Sequence, residues 1–152
     1  MPVRTQIRVR YAETDQMGVV YYANYLVWFE IGRVELLRSL GFAYSQLEKE
    51  HGCILPVVEA NCRYRAPARY DDEIVIETWP ALLRGSVLKF GYRVLRANVL
   101  RAGVLRAGAE GEEHQLLAEG ETVHVVCDAE MNRCQLPKCY LEALRGAMGS
   151  SI

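Results

Sequence analysis

An α+β fold is what this sequence predicts, on three observations. It has one long helical run near the N-terminus, five strand-like runs around and after it, and short turns joining most of those strands. Strands linked by short turns pair antiparallel, whereas a parallel sheet would need a crossover helix between each pair. With 152 residues the chain is read as one domain, 1–152, large enough to bury a core without disulfides or a metal.

Residues 3–11, VRTQIRVRY, alternate Val3, Thr5, Ile7, Val9 and Tyr11 with polar neighbours, the period of a half-buried strand. From Tyr25 to Leu40 the apolar residues 25, 26, 29, 36, 37 and 40 fall at helical spacing. Asn24 is the expected N-cap and Gly41 the expected stop. Gly32 inside that helix costs up to ~1 kcal/mol against alanine, so close packing against a neighbour is expected there. A short helix over 44–51 ends at Gly52, and strands are expected over 53–66, 73–83, 86–98 and 116–128. In the third of these Leu88, Phe90, Tyr92 and Val94 share one face, and Lys89 and Arg93 the other. A last helix starts near Pro137, and residues 149–152 are expected to fray. One helix covers only part of five long strands, so pairing with a second copy of the chain is expected.

Composition removes several classes of function. The formal net charge of −1 argues against general nucleic-acid binding. MPVRTQIRVR has no apolar core of a secretion signal, and no window nears 18 uninterrupted apolar residues, so no membrane span and a cytoplasmic location are expected. Five cysteines are read as reduced thiols. If the segment DAEMNR is a tight return, Cys127 and Cys134 face each other with Cys139 nearby, a set of thiolates that suits a structural zinc; free thiols are the alternative.

The stretch AETDQMGVVYYANY, residues 12–25, stands out. Of four aspartates, Asp71, Asp72 and Asp128 have evident turn contexts and Asp15 has not. Two readings of Asp15 stand side by side: an Asx-turn that stabilises the loop, or a reactive carboxylate. The helix start at 22–24 offers unpaired N–H groups and a positive dipole end, the means of holding an oxyanion. A carboxylate and an oxyanion site a few residues apart are the parts acyl transfer needs.

YAETDQMGVVYYANYLVWFEIGRVELLRSLG resembles the N-terminal motif of hotdog-fold acyl-CoA thioesterases, the group that includes 4-hydroxybenzoyl-CoA thioesterase and the YbgC-like enzymes. The resemblance continues through VEANCRYRAPARYDDEIVIET and LLAEGETVHVVCD. It implies a sheet wrapped around one long helix, a dimer whose sheets join, and often a dimer of dimers. It also implies Asp15 as the catalytic aspartate and the backbone N–H of Tyr22 as the group that polarises the thioester carbonyl. Some relatives carry histidine where this chain has Tyr22, which puts any histidine side-chain role in doubt.

On that reading an acyl-CoA is hydrolysed to free acid and coenzyme A, with Asp15 either attacking the carbonyl or activating water, and no cofactor is required. Asn24 either orients substrate or caps the helix. Tyr21, Tyr25 and Trp28 are candidates for an acyl pocket. Arg84 and Lys89, with Arg63 or Arg65, are candidates for the phosphates of coenzyme A. Two other readings are a hotdog dehydratase, which would need a histidine, and a non-catalytic module binding acyl-CoA or acyl-carrier protein. His51, His114 and His124 all lie outside the motif. The segment 101–114 is longer than an ordinary hairpin link and has no functional account.

Overall fold

The structure, a computed structural model, describes residues 2–97 and 114–148. The segment 101–113 and the expected fraying at 149–152 lie outside the described residues. The strands are β1 (Val3–Arg8), β2 (Val57–Tyr64), β3 (Glu73–Arg84), β4 (Val87–Arg96) and β5 (Gln115–Val125); the helices are α1 (Asn24–Ser39), α2 (Tyr44–His51) and α3 (Lys138–Met148). The five strands form one sheet in the order β1-β3-β4-β5-β2, antiparallel at every contact. It wraps around α1, which is the hotdog arrangement, and β1 and β2 are its edges.

Alternation along the strands decides what meets α1. Leu88, Phe90, Tyr92 and Val94 of β4, with Ile74 and Ile76 of β3, are fully buried beneath it. The opposite face carries a ladder of charge: Arg4 lies 3.0 Å from Glu77, Arg93 lies 3.7 Å from the same carboxylate, and Lys89 lies 3.1 Å from Glu121. The period-2 reading of β4 therefore holds on both faces.

Helix α1 buries Tyr25, Trp28, Phe29, Gly32, Leu36 and Leu37. The ring of Phe29 stacks on Tyr92 at 4.2 Å. Gly32 is where helix and sheet come closest: a Cβ there would stand 2.2 Å from the Thr78 hydroxyl oxygen and 3.0 Å from Ile76. Only hydrogen fits, so the expected close packing is found. Leu26, in the first turn of α1, belongs to the predicted apolar stripe but is exposed.

Several boundaries differ from the expectations, each for a visible reason. Strand β1 stops at Arg8, opposite Glu73, the first residue of β3; Val9 still exchanges backbone bonds with Asp71 and Asp72 of the turn before β3, and Tyr11–Glu13 then coils into a 3-10 turn. The expected strand over 53–66 begins only at Val57, after Pro56, with an isolated bridge between Ile54 and Cys127 upstream. Proline supplies no ladder donor there. Asn24 is not the N-cap: Ala23 holds that position without a side-chain bond, and Asn24 is the first helical residue. The return at 128–133 exists, with the Asp128 carboxylate accepting the N–H groups of Glu130 and Asn132, but its bridge pairs Cys127 with Arg133 rather than with Cys134.

A polar chain crosses the core under α1. The His124 ring nitrogen Nδ1 lies 3.0 Å from the carbonyl of Leu55, which can only accept, so Nδ1 carries the proton. Nε2 then accepts from the Thr122 hydroxyl at 2.8 Å, and Thr122 accepts from the Tyr92 hydroxyl at 2.6 Å. Every member has a direction, and a second proton on His124 would reverse one of the bonds. Burial accordingly lowers the pKa of His124 below the usual histidine value.

Because the folded state resists that proton and the unfolded chain accepts it near pH ~6.5, stability is fully present above that pH and declines as pH falls below it. Thermal unfolding followed from pH 7.5 to 5 should show the midpoint dropping below pH ~6.5, and His124→Gln should flatten that part of the profile. A wild-type midpoint independent of pH in this window would contradict the assignment.

Candidate functional site

Residues 13–22 form a closed loop between β1 and α1. Thr14 and Val20 face each other across an isolated antiparallel bridge. Within it the N–H of Asp15 donates to the Val19 carbonyl at 2.9 Å, and the N–H of Gly18 donates to the Asp15 carbonyl at 3.0 Å. Gly18 has φ of +78°, a backbone state that L side chains rarely adopt, and this closes the turn. The carboxylate oxygen Oδ1 of Asp15 accepts the N–H of Met17 at 2.8 Å, so Asp15 does make the Asx-turn that one reading expected. No described donor reaches Oδ2, so the turn fixes the side chain and leaves one oxygen for chemistry.

The loop returns to the helix beside this carboxylate. The N–H of Tyr21 donates to the Glu13 carbonyl at 2.9 Å, and the N–H groups of Asn24, Tyr25 and Leu26 donate to the carbonyls of Tyr21, Tyr22 and Ala23. Among the described residues the N–H groups of Tyr22 and Ala23 donate to no acceptor. Two amide donors are thus left at the positive end of a 16-residue helix.

Asp15 and Tyr22 line one cleft of about 350 Å³ with Met17, Tyr25, Tyr64 and Arg65. Tyr25 packs edge-on to Tyr64 at 5.0 Å, and its hydroxyl accepts the N–H of Ala68 at 3.1 Å. Tyr64, at the end of β2, donates its hydroxyl to the carbonyl of Tyr22 at 2.9 Å. Burial, and then the neighbouring Cys62 thiol, push the Tyr64 phenol above its ordinary range, which keeps it a donor. The cleft therefore has an aromatic wall, one carboxylate and a free backbone amide.

The other sequence candidates lie elsewhere. Tyr21 is exposed, its ring 4.7 Å from that of Tyr22. Asn24 donates its side-chain amide to the Glu13 carbonyl at 2.8 Å, bracing the loop. Trp28 is wholly buried, with its indole N–H on Glu13, and belongs to the core rather than to an acyl pocket. Arg65 stands at the cleft rim but is held by Glu119 at 2.6 Å. Arg84 is exposed at the β3–β4 turn and Lys89 is on the outer face of the sheet. In register, Lys89 pairs with Val123, whereas Tyr64 sits opposite Ala118 and Val94, five residues further along β4 or roughly 17 Å. Within one chain Arg84 and Lys89 are not brought to the cleft.

No three described cysteine, histidine, aspartate or glutamate residues stand together as a metal site. Cys127 is buried, Cys139 is exposed, and the sulfur of Cys134 approaches that of Cys53 at 3.8 Å instead. The expected meeting of Cys127 and Cys134 is not found: Cys127 is level with Arg133 across its bridge, and Cys134, one residue on, bonds through its N–H to the Val126 carbonyl. Of the histidines, His124 is in the core, the ring of His51 packs on Tyr140, and none lines the cleft. Two residues were missed by the sequence reading: Tyr64, whose inward position on an edge strand is its only signal, and Glu13, a lone acid two positions before Asp15.

The chain is similar to known proteins in sequence and in fold. The Acyl-CoA thioester hydrolase YbgC of Escherichia coli O157:H7 is 35% identical over 136 residues, 89% of this chain and 90% of that protein. The putative acyl-CoA thioesterase YneP of Bacillus subtilis strain 168 is 48% identical over 91 residues, 60% of this chain and 65% of that protein. The 4-hydroxybenzoyl-CoA thioesterase of Pseudomonas sp. strain CBS-3 shares the fold, with a TM-score of 0.77 over 93% of this chain and 98% of that one at 24% identity. The model of the Thioesterase-like superfamily matches residues 9–144, nearly the whole of the described structure, and the chain belongs to that family.

Proposed function

We propose that Asp15 and the backbone N–H of Tyr22 carry out the hydrolysis of an acyl-CoA thioester in the cleft between the β1–α1 loop and the end of β2. That the protein is an acyl-CoA thioester hydrolase follows from its family and from relatives that match it along most of its length; the division of labour among residues is our reading. The observation that carries it is the meeting of one carboxylate oxygen and one helix-end amide, both without internal partners, on one cleft.

The thioester carbonyl oxygen accepts the N–H of Tyr22, and negative charge that develops there falls at the positive end of α1. A single donor of this kind has been worth about 3 to 4 kcal/mol in other acyl-transfer sites. Asp15 acts in one of two ways. It attacks the carbonyl carbon, displacing the thiolate of coenzyme A and forming a mixed anhydride that water then opens, or it takes a proton from the water that attacks. In both, the C–S bond breaks, the thiolate is protonated, and acid and coenzyme A leave. Nucleophile or base, and oxyanion donor, all come from the chain, so the proposed chemistry calls for no metal. Tyr22, Tyr25 and Tyr64 form the wall nearest the reacting carbon, which suits an aromatic or a short to medium acyl group.

The working unit in this reading is a dimer. Strand β2 is an edge with exposed side chains along most of its length, and an open edge of eight residues is a template for pairing. A two-fold axis through β2 would set the strands antiparallel and join two sheets. Tyr64 of one copy then lies level with Val57 of the other, at the end of the partner's sheet where its β3–β4 turn emerges. In that arrangement the partner's Arg84 would stand at the end of the joined sheet that holds this chain's cleft, which supports the assignment of Arg84 to the nucleotide of coenzyme A; Lys89, on the outer face, is not brought there.

Thiol release from a panel of acyl-CoAs tests the chemistry. Asp15→Asn should lower kcat by roughly 10²- to 10⁴-fold while the protein stays folded; equal thiol release by both proteins would remove Asp15 from the mechanism. Light scattering in solution should give the mass of two or four chains, and a monomer at working concentration would sink the dimer. Arg84→Ala should raise KM several-fold for acyl-CoA and leave unchanged the KM for the same acyl group on N-acetylcysteamine, which lacks the nucleotide. Equal effects on both substrates would move Arg84 out of the binding site.

A further inference from the structure

Glu13 is a buried carboxylate for which the proposed chemistry has no use. It is 6% exposed, and a charge so placed is costly unless its oxygens are bonded. Oε2 accepts the indole N–H of Trp28 at 2.8 Å, and Oε1 accepts the backbone N–H of Arg10 at 2.8 Å. The carbonyl of the same residue accepts the N–H of Tyr21 at 2.9 Å and the side-chain amide of Asn24 at 2.8 Å. With the Arg10 guanidinium, whose Nε lies 3.5 Å from Oε1, five donors from both ends of the loop and from α1 converge on one residue.

Those bonds differ in kind from the rest of the loop's. The Thr14–Val20 bridge, the Gly18 turn and the Asx-turn of Asp15 set the shape of the loop. The Val20 N–H ties it to the Ala68 carbonyl. The hydrogen bonds between described residues 10–20 and α1, from Trp28 and Asn24, both end on Glu13. Trp28 is itself packed in the core, 0% exposed in the second turn of the helix. Asp15 follows Glu13 by two residues, and Tyr22 follows the bonded Tyr21 by one.

We propose that Glu13 is a positioning residue for the hydrolysis: its carboxylate and carbonyl together register the Asp15 loop against the start of α1 and so fix where Asp15 stands relative to the N–H of Tyr22. This rests on the thioesterase reading given above. A displacement of ~1 Å between reacting groups can cost about 10²-fold in rate, and without the Glu13 bonds the loop keeps its shape but loses its hold on the helix. The carboxylate is needed because donors arrive at both of its oxygens. A glutamine would meet one of them with its own N–H.

Two variants break the same tie from opposite sides. Glu13→Gln loses one acceptor, and Trp28→Phe loses the indole donor while keeping a ring in the core. Tyr92→Phe, which removes a core hydroxyl on the Thr122–His124 chain, controls for loss of stability alone. With an acyl-CoA that the wild type hydrolyses, each loop variant should lose about 10- to 100-fold in kcat with KM within threefold. The double variant should lose no more than the worse single one. Amide hydrogen exchange at Met17 and Tyr21 should quicken at least tenfold in both and not in Tyr92→Phe. Unchanged kcat and exchange in folded Glu13→Gln, losses that multiply in the double variant, or an equal kcat loss in Tyr92→Phe would overturn the proposal. If Glu13→Gln does not fold, Trp28→Phe decides by the same readouts. If the wild type releases thiol from no acyl-CoA, the thioesterase reading falls by itself, and unchanged protection at Met17 and Tyr21 in the variants would still overturn the hold assigned to Glu13.

Discussion

The approach of α1 to β3 at Gly32 is the constraint from which the rest of this molecule can be reasoned. A helix normally stands off a sheet by the width of its side chains, but here the backbone of α1 comes so near that a Cβ would collide with the hydroxyl of Thr78. The side chains on either side of Gly32 are large, and Phe29, Leu36 and Leu37 reach past it into the wrapped sheet. A sheet curved that tightly around one helix leaves its outer strands with little of the helix to cover them. That is why β2, at the edge, is exposed while β3 and β4 are buried on the same face.

The same closeness places the site. Since α1 is clamped at its middle, its N-terminal turn stands in a fixed place against the end of β2, and the loop from β1 must come up to meet it. Tyr64 and Tyr25 fill the gap between helix and strand, and Tyr64 reaches the carbonyl of Tyr22. The cleft is therefore made by an element start, an element end and a loop, each held by core packing several residues away. Such a site can be rigid without being deeply buried.

Much of this was legible in the sequence because it depends on period and on small local motifs. The alternation of β4 predicted both of its faces, the glycine in a helical run predicted the close approach, and the lone Asp15 before a helix start predicted a carboxylate beside free amides. What was illegible depends on partners distant in the chain. Strand β1 ends at Arg8 because β3 begins at Glu73, which nothing near Arg8 reveals. Trp28 at helical spacing reads equally well as pocket or core, and only the acid that meets its indole decides. Asn24 looks like a cap by residue type, yet it is already the first helical residue, its side-chain amide donates back to the Glu13 carbonyl, and the cap position is Ala23. The cysteine set differs for a related reason: spacing placed three thiols close in sequence, and the register of the return set Cys127 against Arg133 and left Cys134 beside Cys53.

The two readings of Asp15, loop-former and reactive group, turn out not to be rivals. A carboxylate beside a helix start ordinarily takes the helix's free N–H groups for itself, as an N-cap does, and would then block the very donors an oxyanion needs. Here the Asx-turn draws Oδ1 to the N–H of Met17, inside the loop. The N–H of Tyr21 is drawn off separately, to the Glu13 carbonyl. What is left over among the described residues is one carboxylate oxygen on one side and the amides of Tyr22 and Ala23 on the other, neither satisfied by the other. Each internal bond that looks like ordinary loop structure thus removes one way in which the acid and the amide donors could neutralise each other, and in the proposed reaction a thioester between them would offer its carbonyl oxygen to the amides and its carbon, or an attacking water, to the carboxylate.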